Sequence, residues 1–102
     1  MDFLKWAGYE PGYCVICGSP YIQIHHIFHG SHKRKFSERY GYKIPLCMDH
    51  HTGDNGIHQW KNKNLDLKWK RKAQRHFEIY FGTRANFINE CGKSYIKEDD
   101  DE

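Results

Sequence analysis

Two stretches of this sequence specify the fold: CVICGSPYIQIHHIF, residues 14–28, and LCMDHH, residues 46–51. Each contains two metal-binding side chains separated by two residues, which is the spacing of a zinc knuckle. The 29 residues between the knuckles leave room for a strand, a loop and a second strand. The knuckles supply three thiolates and one imidazole, from Cys14, Cys17, Cys47 and His50. We expect a structural zinc ion, because so short a chain buries a small core and metal binding adds folding free energy.

The segments between and after the knuckles have the patterns of regular secondary structure. Residues 21–27 and 42–46 mix aromatic, β-branched and polar side chains and predict two strands. The polar, basic stretch 30–41 predicts an exposed loop with room for a helical turn. The second knuckle predicts one or two helical turns, after which His58 lies in or just beyond a loop.

The C-terminal part predicts two helices. Apolar side chains recur every three or four residues from Leu65 to Phe81 and predict an amphipathic helix that ends at Gly82. A shorter helix follows, and the residues expected to cap it, bury it and end it are Thr83, Phe87, Ile88 and Gly92. The other face of the longer helix is basic and fits either a solvated surface or a nucleic-acid contact: Lys68, Lys70, Arg71, Lys72 and Arg75. The sequence therefore predicts one α+β domain over residues 1–97.

Charge is distributed unevenly along the chain. The formal net charge is +3, but residues 98–102 are all acidic, which leaves 8 acidic against 16 basic residues and a charge of +8 elsewhere. So basic a domain indicates a polyanionic partner, and the acidic end is expected to be a solvated tail or an electrostatic competitor. No apolar run reaches the roughly 18 residues of a membrane span, and the first residues lack a signal-peptide pattern. We expect a cytoplasmic protein without membrane contact, in which paired cysteines bind metal.

Histidines are concentrated in one part of the chain, since seven of the eight lie in residues 25–58. One zinc site uses one of them and leaves the others unexplained. On a helical turn His50 can share a site with Cys47 at i+3, whereas His51 is rotated by about 100° and can serve a second metal. The two histidines can also exchange these roles, because His51 at i+4 reaches the same zinc.

A histidine pair, His25 and His26, ends the first predicted strand. Strand alternation points them to opposite faces, so both serve one site only if the strand bends or ends there. A neutral histidine is suited to deprotonate water, and a histidine-bound cation can stabilise charge on a phosphate, as phosphodiester hydrolysis requires. Imidazole ligands favour zinc, nickel or similar ions over magnesium.

The order of these motifs resembles the HNH endonucleases of the ββα-metal (His-Me finger) group: a Cys-x2-Cys knuckle, a strand ending in a histidine pair, a loop, and Leu-Cys-x2-His-His. It is most similar to small zinc-containing nucleases of bacteriophages, related to the phage recombination-enhancement nucleases. The resemblance covers residues 14–58 and extends more loosely to about residue 95. It implies a small ββα-metal finger with zinc knuckles, C-terminal helices and DNA hydrolase activity.

Position by position, the resemblance implies roles for the remaining histidines. His26 matches the general base. His25, His51 and His58 match the ligands of a catalytic divalent metal, which can be zinc, nickel, manganese or magnesium. The family's middle asparagine matches Tyr42, so the bracing of the loop must come from another residue.

DNA contacts are expected from the basic residues between the strands, because phosphates supply most of the affinity for nucleic acid. These residues are Lys33, Arg34, Lys35 and Arg39. The alternative is a zinc-finger-like module that binds nucleic acid without cutting it. Such a module explains the basic charge and the knuckles, but not the histidine pair or His58. A redox or metal-storage protein, a weaker alternative, has no need of the basic surface.

Overall fold

The fold combines a small antiparallel sheet with several helices, as the computed structural model shows for residues 2–30 and 32–97. The sheet consists of β1, Gln23–His26, and β2, Lys43–Leu46. The helices are α1 (Phe3–Trp6), α2 (Lys33–Tyr40), α3 (Met48–His51), α4 (Lys63–Tyr80) and α5 (Arg84–Cys91), and a 3-10 turn, Trp60–Asn62, leads into α4. The predicted α+β class is confirmed.

The core is built largely from aromatic side chains that meet edge to face. Helix α4 contributes Trp69, Ala73 and Phe77, which recur every four residues and are all buried. The rings of Phe36 and Phe87 meet at 87° with centroids 5.4 Å apart. Burying a side chain of this size stabilises the fold by roughly 1.5–3 kcal/mol. These contacts hold α2, α4 and α5 together beside the sheet.

The basic segment between the strands is a regular helix of eight residues, where the sequence predicts an exposed loop with room for a helical turn. Phe36 and Ser37 of α2 are buried, and the ring centroids of Phe36 and Tyr40, which are one helical turn apart, are separated by 5.0 Å. Gly41 ends the helix with a φ of 74°, a left-handed conformation that favours glycine. Because α2 buries so few side chains, its sequence has little helical periodicity. The helix can be recognised only from the way its buried residues pack on the core.

Other differences from the sequence-based prediction are smaller. Both strands have four residues and are shorter than predicted, because the chain leaves the two-stranded sheet at the knuckles and at α2. The sequence does not predict helix α1, which packs Phe3 edge to face on Tyr42 with ring centroids 5.2 Å apart. The predicted caps of α5 are confirmed, and so is the burial of Cys91, which the sequence predicts to be a buried small residue without a metal role. Ile88, expected to be buried, is 41% exposed.

The longest helix, α4, has 18 residues and is amphipathic. Among the described residues, no helix combines the length and apolar character needed to cross a bilayer. The acidic residues 98–102, expected to form a tail, lie outside the described part of the chain.

Candidate functional site

The two knuckles come together as a cluster of four side chains, from Cys14, Cys17, Cys47 and His50. The sulfurs of Cys17 and Cys47 are 3.8 Å apart, and His50 Nδ1 lies 3.2 Å from the Cys47 sulfur. Tetrahedral zinc with Zn–S bonds of about 2.3 Å separates two sulfurs by about 3.8 Å. A disulfide needs about 2.05 Å, and all the cysteines are free. The cluster therefore suits a metal ion such as zinc.

Backbone geometry brings the ligands of each knuckle together. In the first knuckle, the Gly18 N–H donates to the carbonyl four residues earlier at 2.8 Å, and Gly18 has a φ of 79°. The Val15 N–H donates to Pro45 O at 3.1 Å, which ties this knuckle to β2. In the second knuckle, Cys47 has an extended backbone at the start of α3, and His50 follows at i+3 on the same side.

The electrostatics of the thiols also suit a cation. Burial raises the pKa of the Cys14 thiol, but backbone hydrogen bonds from Cys47, Cys17 and Ile16 outweigh it and bring the pKa to about 6. A backbone hydrogen bond from Ser19 lowers the pKa of Cys17, but desolvation and the Cys14 and Cys47 thiols raise it more. Thiolates this close repel one another unless a cation neutralises them.

A second cluster unites three histidines from different parts of the chain: His25 from β1, His51 from α3 and His58 from the following loop. One ring nitrogen of each lies within 4.8 Å of the others, and the ring centroids are 5.0–5.5 Å apart. The adjacent His50 and His51 thus belong to different clusters, because consecutive helical residues point about 100° apart. This cluster is called the histidine triad below.

His25 is the buried member of the histidine triad. It is 2% exposed, and within the described residues its Nε2 has no hydrogen-bond partner. Burial, with smaller contributions from His58 and His51, lowers the pKa of His25 to about 3, so its ring is neutral at pH 7. A buried nitrogen without a partner costs about 1–3 kcal/mol. A metal ion bound by the triad would supply that partner, and neutral imidazole is the form that binds metals.

The other two members are held by their neighbours. His51 Nδ1 donates to Gln23 Oε1 at 2.7 Å, which leaves His51 Nε2 with its lone pair free for a metal. His58 follows Ile57, which is buried and whose N–H donates to His50 O at 2.8 Å. The backbone next to His58 is therefore hydrogen-bonded to α3, which holds His58 near His51.

His26 opens onto the same cavity as the histidine triad. The cavity has a volume of about 490 Å³ and is lined by His25, His26, His29, Arg34, His51 and His58. Strand alternation would point His25 and His26 to opposite faces, but β1 ends at His26, so both can face one site. His26 Nε2 donates to Glu38 Oε1 at 2.5 Å. This hydrogen bond, followed by one from Lys43, lowers the pKa of Glu38, so Glu38 is ionised beside His26.

Ser37 ties down the segment that follows β1, for which the resemblance implies a bracing residue. Its Oγ accepts from the Phe28 N–H at 2.9 Å and donates to Phe28 O at 2.8 Å, both in the buried interior. Tyr42, which stands at the asparagine position, instead enters the core, where its hydroxyl is 3.0 Å from His76 Nδ1. Ser37 therefore ties the segment that follows β1 to α2.

The four basic residues expected to contact DNA lie on α2 but differ in availability. Lys33 Nζ donates to a tyrosine hydroxyl of the C-terminal segment at 3.2 Å, and Arg39 is 3.2 Å from Glu90. Arg34 and Lys35 are exposed, and their side chains make no ion pair or hydrogen bond with the described residues. Arg34 also lines the histidine cavity. Of these four residues, Arg34 and Lys35 therefore have the charges that are available to a ligand.

The basic face of α4 is largely engaged within the protein. Lys70 Nζ donates to Asp66 at 2.7 Å, and Arg71 Nε donates to the Tyr95 carbonyl at 3.0 Å. Of the five basic residues predicted on this face, only Lys68 is exposed. This distribution favours α2 as the surface for a polyanion.

If DNA is the partner, as the sequence predicts, replacing Arg34 and Lys35 together with alanine should lower the slope of log K against log salt by roughly 0.7–0.9 for each phosphate that the variant no longer neutralises. The matched control replaces Lys33 and Arg39, whose charges are already engaged, and should change the slope less. Fluorescence anisotropy with labelled DNA at several salt concentrations measures both. Equal slopes for the two double variants would show that the pairing seen in the structure does not determine which charges meet DNA.

Several residues of the site cannot be identified from the sequence. Gln23 and Ser37 give no signal, because a single polar residue can hydrogen-bond many partners. Glu38 lies four residues after Arg34 on one face of α2, but this spacing is informative only once the segment is known to be helical. The sequence assigns no role to His29, whose ring centroid lies 5.2 Å from that of His58.

Comparison of the chain with protein-family models, curated proteins and solved structures finds no match.

Proposed function

We propose that this protein is a metal-dependent nuclease that hydrolyses phosphodiester bonds in DNA in the histidine cavity. The observation that carries the proposal is the buried His25 Nε2, which has no hydrogen-bond partner among the described residues and adjoins His51 and His58. Buried polar groups in proteins almost always have a partner, so an exception indicates a bound ion or a catalytic role. The resemblance to HNH endonucleases and the order of two strands and a helix agree with a ββα-metal finger.

His26 is the proposed general base. Because its Nε2–H is donated to Glu38, the lone pair of His26 Nδ1 is available to take a proton. The oxygen of a water molecule bonds to phosphorus, its proton passes to Nδ1, and the bond from phosphorus to the leaving sugar oxygen breaks. Glu38, which Lys43 holds at 3.1 Å, stabilises the imidazolium that forms and acts as a positioning residue.

Positive charge at the cavity completes the proposed site. A divalent metal held by the histidine triad would stabilise charge on the phosphate and the leaving oxygen. Arg34 adds a guanidinium, whose geometry matches phosphate oxygens. The cluster of three cysteines and His50 already has four protein ligands, so its proposed role is to stabilise the fold.

The direct test uses purified zinc-containing protein with plasmid and single-stranded circular DNA, supplied in turn with zinc, nickel, manganese and magnesium. Strand scission is expected with at least one ion and should be lost after chelation and in His25→Ala. The control is His32→Ala, which removes an exposed histidine outside the cavity. DNA binding without scission under every ion would contradict the nuclease proposal and support a zinc-finger-like module.

A further inference from the structure

The most exposed tryptophan lies close in sequence to the histidine triad and has no packing role. Trp60 is 80% exposed, whereas Trp69 is buried in the core. Trp60 follows His58 by two residues, so their Cα atoms lie at most about 7 Å apart. An indole left in water gives up roughly 1.5–3 kcal/mol of burial, which a ligand that covers it can recover.

The backbone around Trp60 is tied to the loop that carries His58. Gln59 Nε2 donates to Gly53 O at 3.1 Å, and Asn62 Nδ2 donates to Gly56 O at 2.9 Å. The 3-10 turn then continues directly into α4. The backbone at Trp60 is therefore anchored on both sides, which reduces the conformational entropy lost when a ligand packs on the indole.

The surroundings of the indole are basic. Lys63 Nζ lies over the Trp60 ring, 4.4 Å from its centroid, and Lys61 is exposed beside it. With Lys63 over one face, an exposure of 80% leaves the opposite face open to solvent. An open aromatic face flanked by lysines suits a ligand that carries both a flat ring and negative charge, which describes a nucleotide better than an apolar protein surface.

We infer that Trp60 is a stacking platform for an unpaired base next to the cleaved phosphodiester, and that single-stranded DNA is the preferred substrate. The bases of a duplex are stacked on one another, so an indole reaches a base face only where the strand is unpaired. Lys61 and Lys63 meet the phosphates that flank this base. The inference rests on the proposed nuclease function for the position of the cleaved bond, but the stacking itself does not depend on cleavage.

Binding without added divalent ions tests the platform separately from catalysis. The probes are a labelled 12-nucleotide oligothymidylate and a labelled blunt-ended duplex, which has no unpaired loop. Trp60→Ala should weaken single-strand binding by about 5- to 150-fold, which is the fold-change expected when one base can no longer stack, and leave duplex binding nearly unchanged. Trp60→Tyr keeps an aromatic face and should retain most of the affinity, whereas Trp60→Leu keeps only apolar bulk and should not.

Intrinsic fluorescence supplies a second measurement. Oligothymidylate should quench the emission of the parent protein, and Trp60→Phe, which keeps Trp6 and Trp69, should lose that quenching. The inference is overturned if Trp60→Ala binds single strands as the parent does, if it binds both probes equally weakly, or if Trp60→Leu binds like the parent. Stacking without scission would refute only the nuclease proposal, and scission with no effect of Trp60 would refute only the platform.

Discussion

Replacing His26 with alanine is expected to slow DNA cleavage by about 10²- to 10⁴-fold while DNA affinity changes little, because general-base assistance is worth that much in rate. His26 lies outside the cysteine cluster, so the variant should retain its zinc. His26→Gln tests the chemistry more narrowly, since its amide can still donate to Glu38 but cannot take a proton at neutral pH. Cleavage rates at saturating DNA, dissociation constants and zinc content measure these expectations.

Two further variants complete this experiment. His32→Ala removes an exposed histidine and should cleave like the parent. Glu38→Gln keeps a hydrogen-bond acceptor but removes the charge, so its cleavage rate should fall less than that of His26→Ala. Parental cleavage by His26→Gln would exclude His26 as the base and make His29, which lines the same cavity, the next candidate. Loss of zinc from His26→Ala would contradict the separation of the two clusters.

Replacing Cys17 with serine is expected to remove the bound zinc and unfold the domain. Cys17 is exposed, so removing its sulfur costs almost nothing in core packing and the effect reports metal binding. A structural zinc contributes about 10–16 kcal/mol in small zinc-dependent domains, which is as large as the whole stability of about 5–15 kcal/mol of a typical domain. Elemental analysis, circular dichroism and thermal unfolding with and without chelator measure the outcome.

The matched control is Cys91→Ala, which also removes one thiol. Cys91 is buried but belongs to neither cluster, so this variant should keep one zinc and lose only about 0.5–3 kcal/mol of stability. His51→Ala should likewise keep the structural zinc. A well-folded parent protein without zinc, or a Cys17→Ser variant with parental stability, would refute the structural zinc site.

Sequence patterns are sufficient to predict helix α4 but not helix α2. Helix α4 is predictable because its apolar side chains recur over 18 residues, which gives a strong periodic signal. Helix α2 has eight residues, and among them only Phe36 and Ser37 are buried, so its sequence is typical of a basic loop. Its helical form depends on packing between Phe36 and aromatic residues far away in the chain, which no local pattern reports.

The three cysteines of the cluster follow from the sequence alone, because ligands two residues apart converge through local turns and only two knuckles have to meet. The sequence leaves open whether His50 or His51 joins them, and α3 resolves this by pointing the two rings in different directions. The contact of His26 with Glu38, 12 residues away, and that of His51 with Gln23, 28 residues away, are evident only in the folded chain. The first contact depends on how α2 packs beside β1, and the second on how α3 lies against β1. Both arrangements are set by the whole core.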